Sequence, residues 1–177
     1  MVFPGPDGAA RERAWWRDVV RATFRAADQM QPLADFEAAF GALFDHYAQP
    51  AAWRAAPGAA EALHALRADG RRVAVASNFD GRLPGVLAGL GLAGALDAVL
   101  LPAVLGAAKS DPAFFAAVAA RLAVAPAAAL YVGDDPVQDL AAARAAGWRA
   151  VDARALATLA ALPDHVRALE TEETPAP

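Results

Sequence analysis

The chain has 177 residues, enough for one domain with a hydrophobic core and a small accessory unit but too few for two large domains. Its 16 basic and 20 acidic side chains give a formal net charge of -4, the wrong sign for a protein whose main partner is a nucleic acid. Because the chain has no cysteine, it cannot form a disulfide, a thiolate nucleophile or a cysteine-bound zinc site.

Two helices are predicted in the N-terminal part of the chain. Residues 9–28 place apolar side chains at helical spacing, and the opposite face carries a row of arginines that we expect to be solvated. A second helix is predicted to open near Pro32 and Asp35 and to stop before Pro50. The first residues do not resemble a signal peptide, so we expect a cytoplasmic protein.

From Pro57 onward, helices alternate with short apolar strands. This alternation is typical of a parallel sheet covered by helices, and it predicts an α/β fold. The C-terminal residues 163–177 are acidic and contain proline, so we expect a frayed tail. The predicted helices cover residues 57–70, 82–90, 111–122 and 136–146, and the predicted strands cover residues 73–77, 96–101, 129–133 and 148–151.

Two stretches imitate motifs of other protein classes. Residues 87–108 are about long enough to span a bilayer, but Asp97, Pro102 and several glycines interrupt them, so we expect no membrane span. Residues 89–94 match the Gly-x-Gly-x-x-Gly fingerprint of dinucleotide-binding proteins. They end a predicted helix instead of following a strand, so we interpret them as a helix stop.

Uncommon polar side chains stand where the predicted strands end. Ser77 and Asn78 follow the first strand, and Asn78 is the only asparagine of the chain. Lys109, the only lysine, lies in the loop before the helix over residues 111–122. Because ligands of open parallel sheets bind beyond the carboxyl ends of the strands, we expect these side chains to share one edge. The third strand is followed by Asp134, Asp135 and Asp139.

Hydroxyl, ammonium and carboxylate groups together are typical of a phosphoryl-transfer site, in which carboxylates hold Mg²⁺. Each residue also suits an ordinary structural role: Ser77 and Asn78 suit a turn, Asp135 suits a helix N-cap, and Asp139 suits a helix surface. We favour the functional interpretation because the residues occur together at equivalent strand ends.

Three segments resemble the motifs of a known family. They are "VAVASNFD", "AAKSDPAFF" and "YVGDDPVQDLAAARAAGWRAV", which resemble the second, third and fourth motifs of the haloacid dehalogenase-like (HAD) hydrolase superfamily. The helical segment with Trp15 and Trp16 resembles part of the cap in the branch whose cap follows the first motif. The resemblance implies a partial helical cap over residues 1–56 and a HAD-like α/β core over residues 57–162.

The resemblance also implies roles for the strand-end residues. Ser77, Asn78 and Lys109 would bind the phosphoryl group, and Lys109 would also pair with the nucleophile. The implied metal residues are Asp134 as a ligand of Mg²⁺, Asp139 as support for the metal shell, and Asp135 as a further candidate.

Two positions refine the resemblance. Ser110 stands where the family usually has proline, which is a small departure. Gly133 and Asp134 form a pair that the metal-independent 2-haloacid dehalogenases lack, so the pair favours a Mg²⁺-dependent phosphatase over a dehalogenase.

The family's first motif, Asp-x-Asp at the end of an N-terminal strand, is absent from the sequence. In the family, one of these carboxylates attacks phosphorus to form an aspartyl-phosphate, and the other serves as acid and base. We therefore expect family chemistry on a small phosphate monoester but no activity of this chain alone, and we favour a truncated form of a longer protein as its origin. The alternative from another class is a non-catalytic HAD-fold protein that binds a phosphorylated ligand or a protein partner.

The missing strand would lie between the strands that end at Ser77 and Gly133, so two inner edges are expected to be unpaired. If each edge leaves two or three backbone groups without partners at about 1 to 3 kcal/mol apiece, the cost is on the order of 10 kcal/mol. Three outcomes are open: the two strands pair directly, another chain covers the gap, or the sequence is part of a longer protein. The substrate and the oligomeric state are not predicted.

Overall fold

The computed structural model describes residues 2–3, 5–28 and 35–173. A pair of helices comes first, and short strands that alternate with helices follow, as the sequence predicts. The elements are α1 (Gly8–Ala26), α2 (Phe36–His46), α3 (Ala59–Ala68), β1 (Ala74–Ala76), α4 (Leu83–Gly89), β2 (Ala98–Leu100), α5 (Pro102–Leu105), α6 (Ala113–Leu122), β3 (Leu130–Gly133), a π-helical turn (Pro136–Ala141) that continues into α7 (Ala142–Ala145), β4 (Arg149–Asp152) and α8 (Leu162–Glu173).

Helix α2 begins where Asp35 caps it. The Asp35 carboxylate accepts hydrogen bonds from the backbone N–H groups of Glu37 at 3.0 Å and Ala38 at 3.1 Å, which satisfies two donors that the first turn leaves unpaired. Pro32, the other residue at which this helix was predicted to open, lies outside the described residues.

Three arginines of the α1 row, Arg13, Arg17 and Arg21, contact α2, whereas the sequence led us to expect a solvated face. The guanidinium of Arg21 lies 2.6 Å from Oε1 of Glu37, and the guanidinium of Arg13 lies over the rings of Phe40 and Phe44 at 5.0 and 5.1 Å from their centroids. Because an arginine stem is apolar and its planar head attracts aromatic faces, a row of arginines can form a helix–helix contact.

The four strands form two parallel pairs. β1 pairs with β2, with Ala76 opposite Leu100, and β3 pairs with β4, with Val132 opposite Val151. Across the described ranges, no strand pairing joins β1 to β3, so the sheet is interrupted between them. The two expected inner edges are therefore present, and the direct closure of the gap that the sequence left open does not occur in this structure.

Helices cover the strands on two faces. On one face, α6 and α7 supply side chains that pack with residues of β2 and β3, and on the other face α3 and α8 do the same with residues of β3 and β4. The first cluster includes Leu100, Phe114, Phe115, Val118 and Trp148, and the second includes Ala62, Leu66, Val151, Leu162 and Val166.

Part of the expected C-terminal tail is helical. Helix α8 buries Leu162 and Val166 against the second cluster, and Arg71 holds Glu170 through two hydrogen bonds of 2.7 and 2.6 Å. Leu162, Val166 and Leu169 recur at the spacing of one helical face, and the charged and polar residues between them obscured that stripe. Residues 174–177 lie outside the described part of the chain.

The helices were expected not to span a membrane. Within the described residues, none of them combines the length and the apolar character needed to cross a bilayer. Residues 87–108 instead contain the end of α4, strand β2 and the short helix α5.

Candidate functional site

The ends of β1 and of the loop before α6 meet at one edge of the core. Oδ1 of Asn78 accepts a hydrogen bond of 2.8 Å from the backbone N–H of Lys109, although 31 residues separate the two along the chain. Oγ of Ser77 accepts a hydrogen bond of 3.1 Å from the backbone N–H of Phe79. This geometry leaves the amide NH₂ of Asn78 and the hydroxyl proton of Ser77 as donors.

The side chain of Lys109 turns toward the residues that follow β3. Its Nζ lies 2.7 Å from Oδ1 of Asp139, and the two side chains are 17% and 5% exposed. Burial lowers the pKa of Lys109, but its interactions with Asp139 and Tyr131 outweigh burial, so its pKa lies above the ordinary value. Lys109 is therefore a cation at neutral pH.

Asp139 is held as an anion by several donors. Its Oδ1 also accepts from the hydroxyl of Tyr131 at 3.2 Å, and its Oδ2 lies 3.2 Å from the backbone nitrogens of both Asp134 and Asp135. Burial raises the pKa of Asp139, but the hydrogen bonds from Lys109 and from these two amides outweigh burial and bring the pKa below the ordinary value.

Gly133 is needed for this arrangement. A Cβ atom at position 133 would lie 2.5 Å from Oδ2 of Asp139 and 2.7 Å from its Cβ and Cγ, closer than side chains can approach. The glycine before Asp134 therefore leaves room for the Asp139 carboxylate to reach the backbone N–H groups after β3. We refer to Ser77, Asn78, Lys109, Tyr131, Asp134 and Asp139 as the strand-end site.

The fit of a metal ion depends on which carboxylate oxygens are available. Both oxygens of Asp139 are engaged, and Oδ1 of Asp135 caps the π-helical turn by accepting from the N–H groups of Val137 at 2.8 Å and Gln138 at 2.7 Å. In the part of the chain that the structure describes, no three acidic or histidine side chains are grouped to hold a metal. Within those residues no hydrogen bond engages either oxygen of the exposed Asp134, whereas Asp135 has only Oδ2 free and Asp139 has neither oxygen free. The three carboxylates do not form a ready magnesium site, and the metal assignment stays a prediction.

Tyr131 is a member of the site that sequence reasoning missed. Its burial raises its pKa, so the phenol keeps its proton and acts as a donor. Besides Asp139, the hydroxyl lies 3.3 Å from the backbone oxygen of Ala76 on β1. A tyrosine inside the apolar run "ALYVG" is most simply interpreted as a core residue, so the sequence gives no signal for this role.

A second group that sequence reasoning missed joins the N-terminal helices to the turn after β1. The guanidinium of Arg82 binds the buried carboxylate of Asp80, with Nε 2.8 Å from Oδ1, and it also donates to the backbone oxygen of Phe44 on α2 at 2.9 Å. Oε2 of Glu12 on α1 accepts from the N–H of Gly81 at 3.1 Å. Burial raises the pKa of Glu12, and the negative charge of Asp80 raises it further. The hydrogen bond from Gly81 and the positive charge of Arg82 lower it, but the net shift is upward. We refer to Glu12, Asp80 and Arg82 as the clasp.

A cavity of about 260 Å³ opens between the same two parts of the chain. Its wall is almost entirely aromatic and aliphatic, and Phe79, which follows the phosphate-binding candidates Ser77 and Asn78, contributes to it. The cavity therefore borders the turn that carries these two residues. Its other lining residues include Trp16, Phe44, Tyr47, Trp53 and Arg82.

Comparison with known proteins identifies a family and several similar structures. Residues 8–147 match the family model of the haloacid dehalogenase-like hydrolases. The mouse protein "Haloacid dehalogenase-like hydrolase domain-containing protein 3" is 39% identical over 140 residues, which cover 76% of this chain and 53% of the mouse protein. The chain thus spans about half the length of this curated relative.

Two solved structures bear on the chemistry. A HAD phosphatase from Thermococcus onnurineus superposes with a TM-score of 0.57 at 27% identity, covering 64% of this chain and 56% of that one. An L-2-haloacid dehalogenase from Xanthobacter autotrophicus, solved with chloropropionic acid covalently bound, superposes with a TM-score of 0.51 at 27% identity, covering 68% of this chain and 46% of that one.

Proposed function

Since the chain belongs to the haloacid dehalogenase-like hydrolase family, we propose that its strand-end site binds the phosphoryl group of a small phosphate monoester. The observation that carries the proposal is the position of Lys109. Its ammonium group is largely buried and stays charged, and its backbone is fixed to Asn78. A cation placed beside unused amide and hydroxyl donors is suited to an anion with several oxygens.

Each donor has a separate task in this proposal. The ammonium of Lys109 keeps donor capacity beyond its bond to Asp139 and attracts a phosphoryl oxygen as a point charge. The NH₂ of Asn78 and the hydroxyl of Ser77 donate to further oxygens. The bonds that these two side chains accept from backbone N–H groups orient them for this task.

The proposed reaction of the family type is hydrolysis through an aspartyl-phosphate, and the chain supplies part of what this reaction needs. The sequence has no Asp-x-Asp. Asp139 accepts hydrogen bonds at both carboxylate oxygens, which makes it a positioning group for Lys109 rather than a nucleophile. We therefore propose that the 177-residue chain binds phosphate but does not hydrolyse the ester on its own. If a magnesium ion binds, the carboxylate of Asp134 would hold it.

Two alternatives are distinguished by chemistry. A dehalogenase would recognise the carboxylate of a small haloacid. This alternative is supported by the fold similarity to the L-2-haloacid dehalogenase from Xanthobacter autotrophicus, at 27% identity. The Gly133–Asp134 pair and the similarity to a HAD phosphatase favour phosphate. A non-catalytic binding protein would bind phosphate as proposed here and would have no role in turnover.

The proposal is tested by titrating inorganic phosphate into the ¹⁵N-labelled chain and following the backbone amide signals by NMR. We expect saturable shifts at Ser77, Asn78 and Lys109, and a dissociation constant at least about tenfold higher in Asn78→Ala, because a hydrogen bond to a charged group contributes about 1.5 to 3 kcal/mol. Arg121→Met removes an exposed cation from the last turn of α6, whereas Lys109 precedes the first turn, and it is the matched control for Lys109→Met.

Three results of the titration would contradict the proposal. They are shifts confined to the arginine-bearing helix α1, equal affinity in Lys109→Met and Arg121→Met, or saturable binding of 2-chloropropionate with no binding of phosphate. The last result would favour the dehalogenase alternative.

A further inference from the structure

The cavity between the N-terminal helices and the turn after β1 has a wall made largely of rings. Six of the side chains that line it are aromatic, two are aliphatic and one is Arg82. We refer to this space of about 260 Å³ as the aromatic cavity. Its six aromatic residues are Trp16, Phe40, Phe44, Tyr47, Trp53 and Phe79.

Contacts within the chain hold these rings in place. The ring of Trp53 meets the rings of Tyr47 and Phe79 edge to face, with centroids 5.8 and 5.3 Å apart. The indole N–H of Trp53 is used inside the wall, because it donates to the backbone oxygen of Tyr47 at 3.1 Å. The guanidinium of Arg82 lies 3.8 Å from the ring centroid of Phe44 and 5.6 Å from that of Phe79. The wall is therefore formed without a ligand.

The charge of Arg82 is already neutralised. Its guanidinium donates to both carboxylate oxygens of Asp80 and to the backbone oxygen of Phe44. Asp80 is only 1% exposed, so this ion pair is closed inside the protein. Among the described residues that line the cavity, no other carries a charge at neutral pH. Because a charged or heavily hydroxylated group would lose its hydrogen bonds to water there, the cavity favours a neutral apolar group.

One donor of the wall has no acceptor. Nε1 of Trp16 is shielded from solvent, and no hydrogen-bond partner reaches it within the described residues. A buried N–H without an acceptor costs free energy, and buried donors are normally paired with protein, water or a ligand. An indole offers one donor and no acceptor. A ligand that completes this wall therefore presents one hydrogen-bond acceptor.

The volume of the cavity suits one substituted ring. A cavity of about 150 Å³ lined by leucine, isoleucine and phenylalanine stays dry and binds benzene. The aromatic cavity is larger, so it has room for a ring and a small substituent. Its aromatic wall also adds stacked and edge-to-face contacts that an aliphatic ligand cannot make.

The aromatic cavity adjoins the strand-end site at Phe79. This residue lines the cavity, and its backbone N–H donates to Oγ of Ser77 at 3.1 Å. We propose that the cavity binds the organic part of the phosphate ester, an aromatic ring whose single acceptor pairs with Nε1–H of Trp16. This proposal rests on the proposed function and adds the substrate class, which is aryl or arylalkyl phosphate monoesters rather than phosphates of sugars and other polyols.

The test compares three phosphonates, which have no ester bond to hydrolyse, in NMR titrations of the ¹⁵N-labelled chain. Methylphosphonate presents the oxyanion alone, benzylphosphonate adds a ring, and 4-acetylbenzylphosphonate adds a carbonyl acceptor to the ring. We expect the dissociation constant to fall at least about tenfold from the first to the second, because the ring leaves water. We expect a further fall of about threefold or more for the third, because its carbonyl accepts from Trp16.

The indole N–H signals show where the ring binds, and they require no variant. With 4-acetylbenzylphosphonate, the signal of Trp16 should move downfield, because its N–H gains an acceptor. The signal of Trp148, whose Nε1 is likewise buried without a partner in the described part of the chain, should stay in place, because Trp148 lies in the first hydrophobic cluster.

A matched pair of variants tests the role of the Trp16 donor. Trp16→Phe keeps a ring in the wall and removes the N–H, so the acetyl group should no longer improve binding. Trp15→Phe is the control, because Trp15 is adjacent in the chain but is not among the residues that line the cavity. It should keep the full advantage of the acetyl group.

Several outcomes would overturn the proposal. Binding of methylphosphonate at Lys109 and Asn78 with no gain from the ring would overturn the substrate class and leave the proposed function standing. A gain from the ring without a shift of the Trp16 signal would mean that the ring binds elsewhere. A Trp16 signal that moves on dilution of the chain alone would mean that a second copy covers the cavity.

Acetophenone, which has the ring and the acceptor but no phosphonate, separates this proposal from the proposed function. A shift of the Trp16 signal by acetophenone, together with no binding of methylphosphonate, would overturn the proposed function and with it the assignment of the ring to a phosphate ester. We expect both compounds to bind, acetophenone with shifts at Trp16 and Phe79 and methylphosphonate with shifts at Asn78 and Lys109.

Discussion

The ammonium group of Lys109 lies 2.7 Å from the carboxylate of Asp139, and the same lysine is fixed to Asn78 through its backbone N–H. These contacts connect three segments of the chain that are distant in sequence. The pair is part-buried, so neither charge can be removed without exposing the other to a poorly solvating environment. The strand-end site is therefore stabilised by its own electrostatics before any ligand binds.

The first prediction concerns this ion pair. Lys109→Met leaves Asp139 as a buried charge without its cation, and we expect the free energy of unfolding to fall by about 2 to 3 kcal/mol. The value lies below the loss of about 3 to 5 kcal/mol that a fully buried pair shows, because Lys109 keeps 17% of its side chain exposed. Urea denaturation measures the change, with Arg121→Met as the matched control. Equal stability of the two variants would show that the pair contributes nothing.

The second prediction concerns Gly133. Gly133→Ala drives a Cβ atom into the Asp139 carboxylate, so we expect a loss of about 1 to 3 kcal/mol in unfolding free energy. Gly85→Ala in helix α4 is the control, because a Cβ there meets no atom within 4 Å and should stabilise the helix by about 0.5 to 1 kcal/mol. The same substitution is thus expected to lower the free energy of unfolding at position 133 and to raise it at position 85. A Gly133→Ala variant as stable as the wild-type chain would contradict the close approach of Asp139.

The third prediction concerns pH and Glu12 of the clasp. Burial raises the folded-state pKa of Glu12 above its unfolded value of about 4.3, so the folded state favours the neutral acid. The stability that the neutral Glu12 side chain contributes is then fully present below about pH 4, and it is lost as the pH rises through the folded-state pKa. Glu12→Gln keeps an acceptor for the N–H of Gly81 and cannot ionise.

We therefore expect the melting temperature of Glu12→Gln to exceed that of the wild-type chain by a margin that widens from pH 4 to pH 7. Circular dichroism at several pH values measures it. Glu61→Gln, on an exposed part of α3, should show no such trend. A margin that is constant or that narrows with rising pH would mean that Glu12 is not buried as the clasp requires.

The fourth prediction concerns turnover. We expect the purified 177-residue chain to show no magnesium-dependent hydrolysis of p-nitrophenyl phosphate, because its sequence has no Asp-x-Asp and Asp139 is fully engaged. Release of p-nitrophenol is followed by absorbance with and without Mg²⁺. Magnesium-dependent turnover that disappears in Asp134→Ala would overturn this expectation and would identify a nucleophile within the chain.

Part of the site could be predicted from the sequence for a simple geometric reason. Asn78 and Lys109 were predicted to share the carboxyl edge of a parallel sheet, and a hydrogen bond of 2.8 Å joins them. The alternation of strands and helices likewise reflects local apolar patterns, which depend on near neighbours in the chain.

Other features depend on contacts that no local pattern records. Tyr131 has the sequence context of a core residue, and its bridging role follows from the gap beside β3. Arg82 reaches Phe44 across 38 residues, and the arginine row of α1 finds its partners on α2. Helix α8 was missed because charged and polar residues separate its apolar residues in the sequence, although they do not interrupt the apolar stripe on the helix surface.

The most direct test of the proposed function is the position of a bound phosphate analogue. Crystals of the chain grown with tungstate, whose tungsten atom is located by anomalous scattering, would show where a tetrahedral oxyanion binds. We expect tungstate within hydrogen-bonding distance of Nζ of Lys109 and the side-chain amide of Asn78, at the carboxyl ends of β1 and β3. Tungstate bound only elsewhere, with the strand-end site free of it, would contradict a phosphoryl-binding role for these residues.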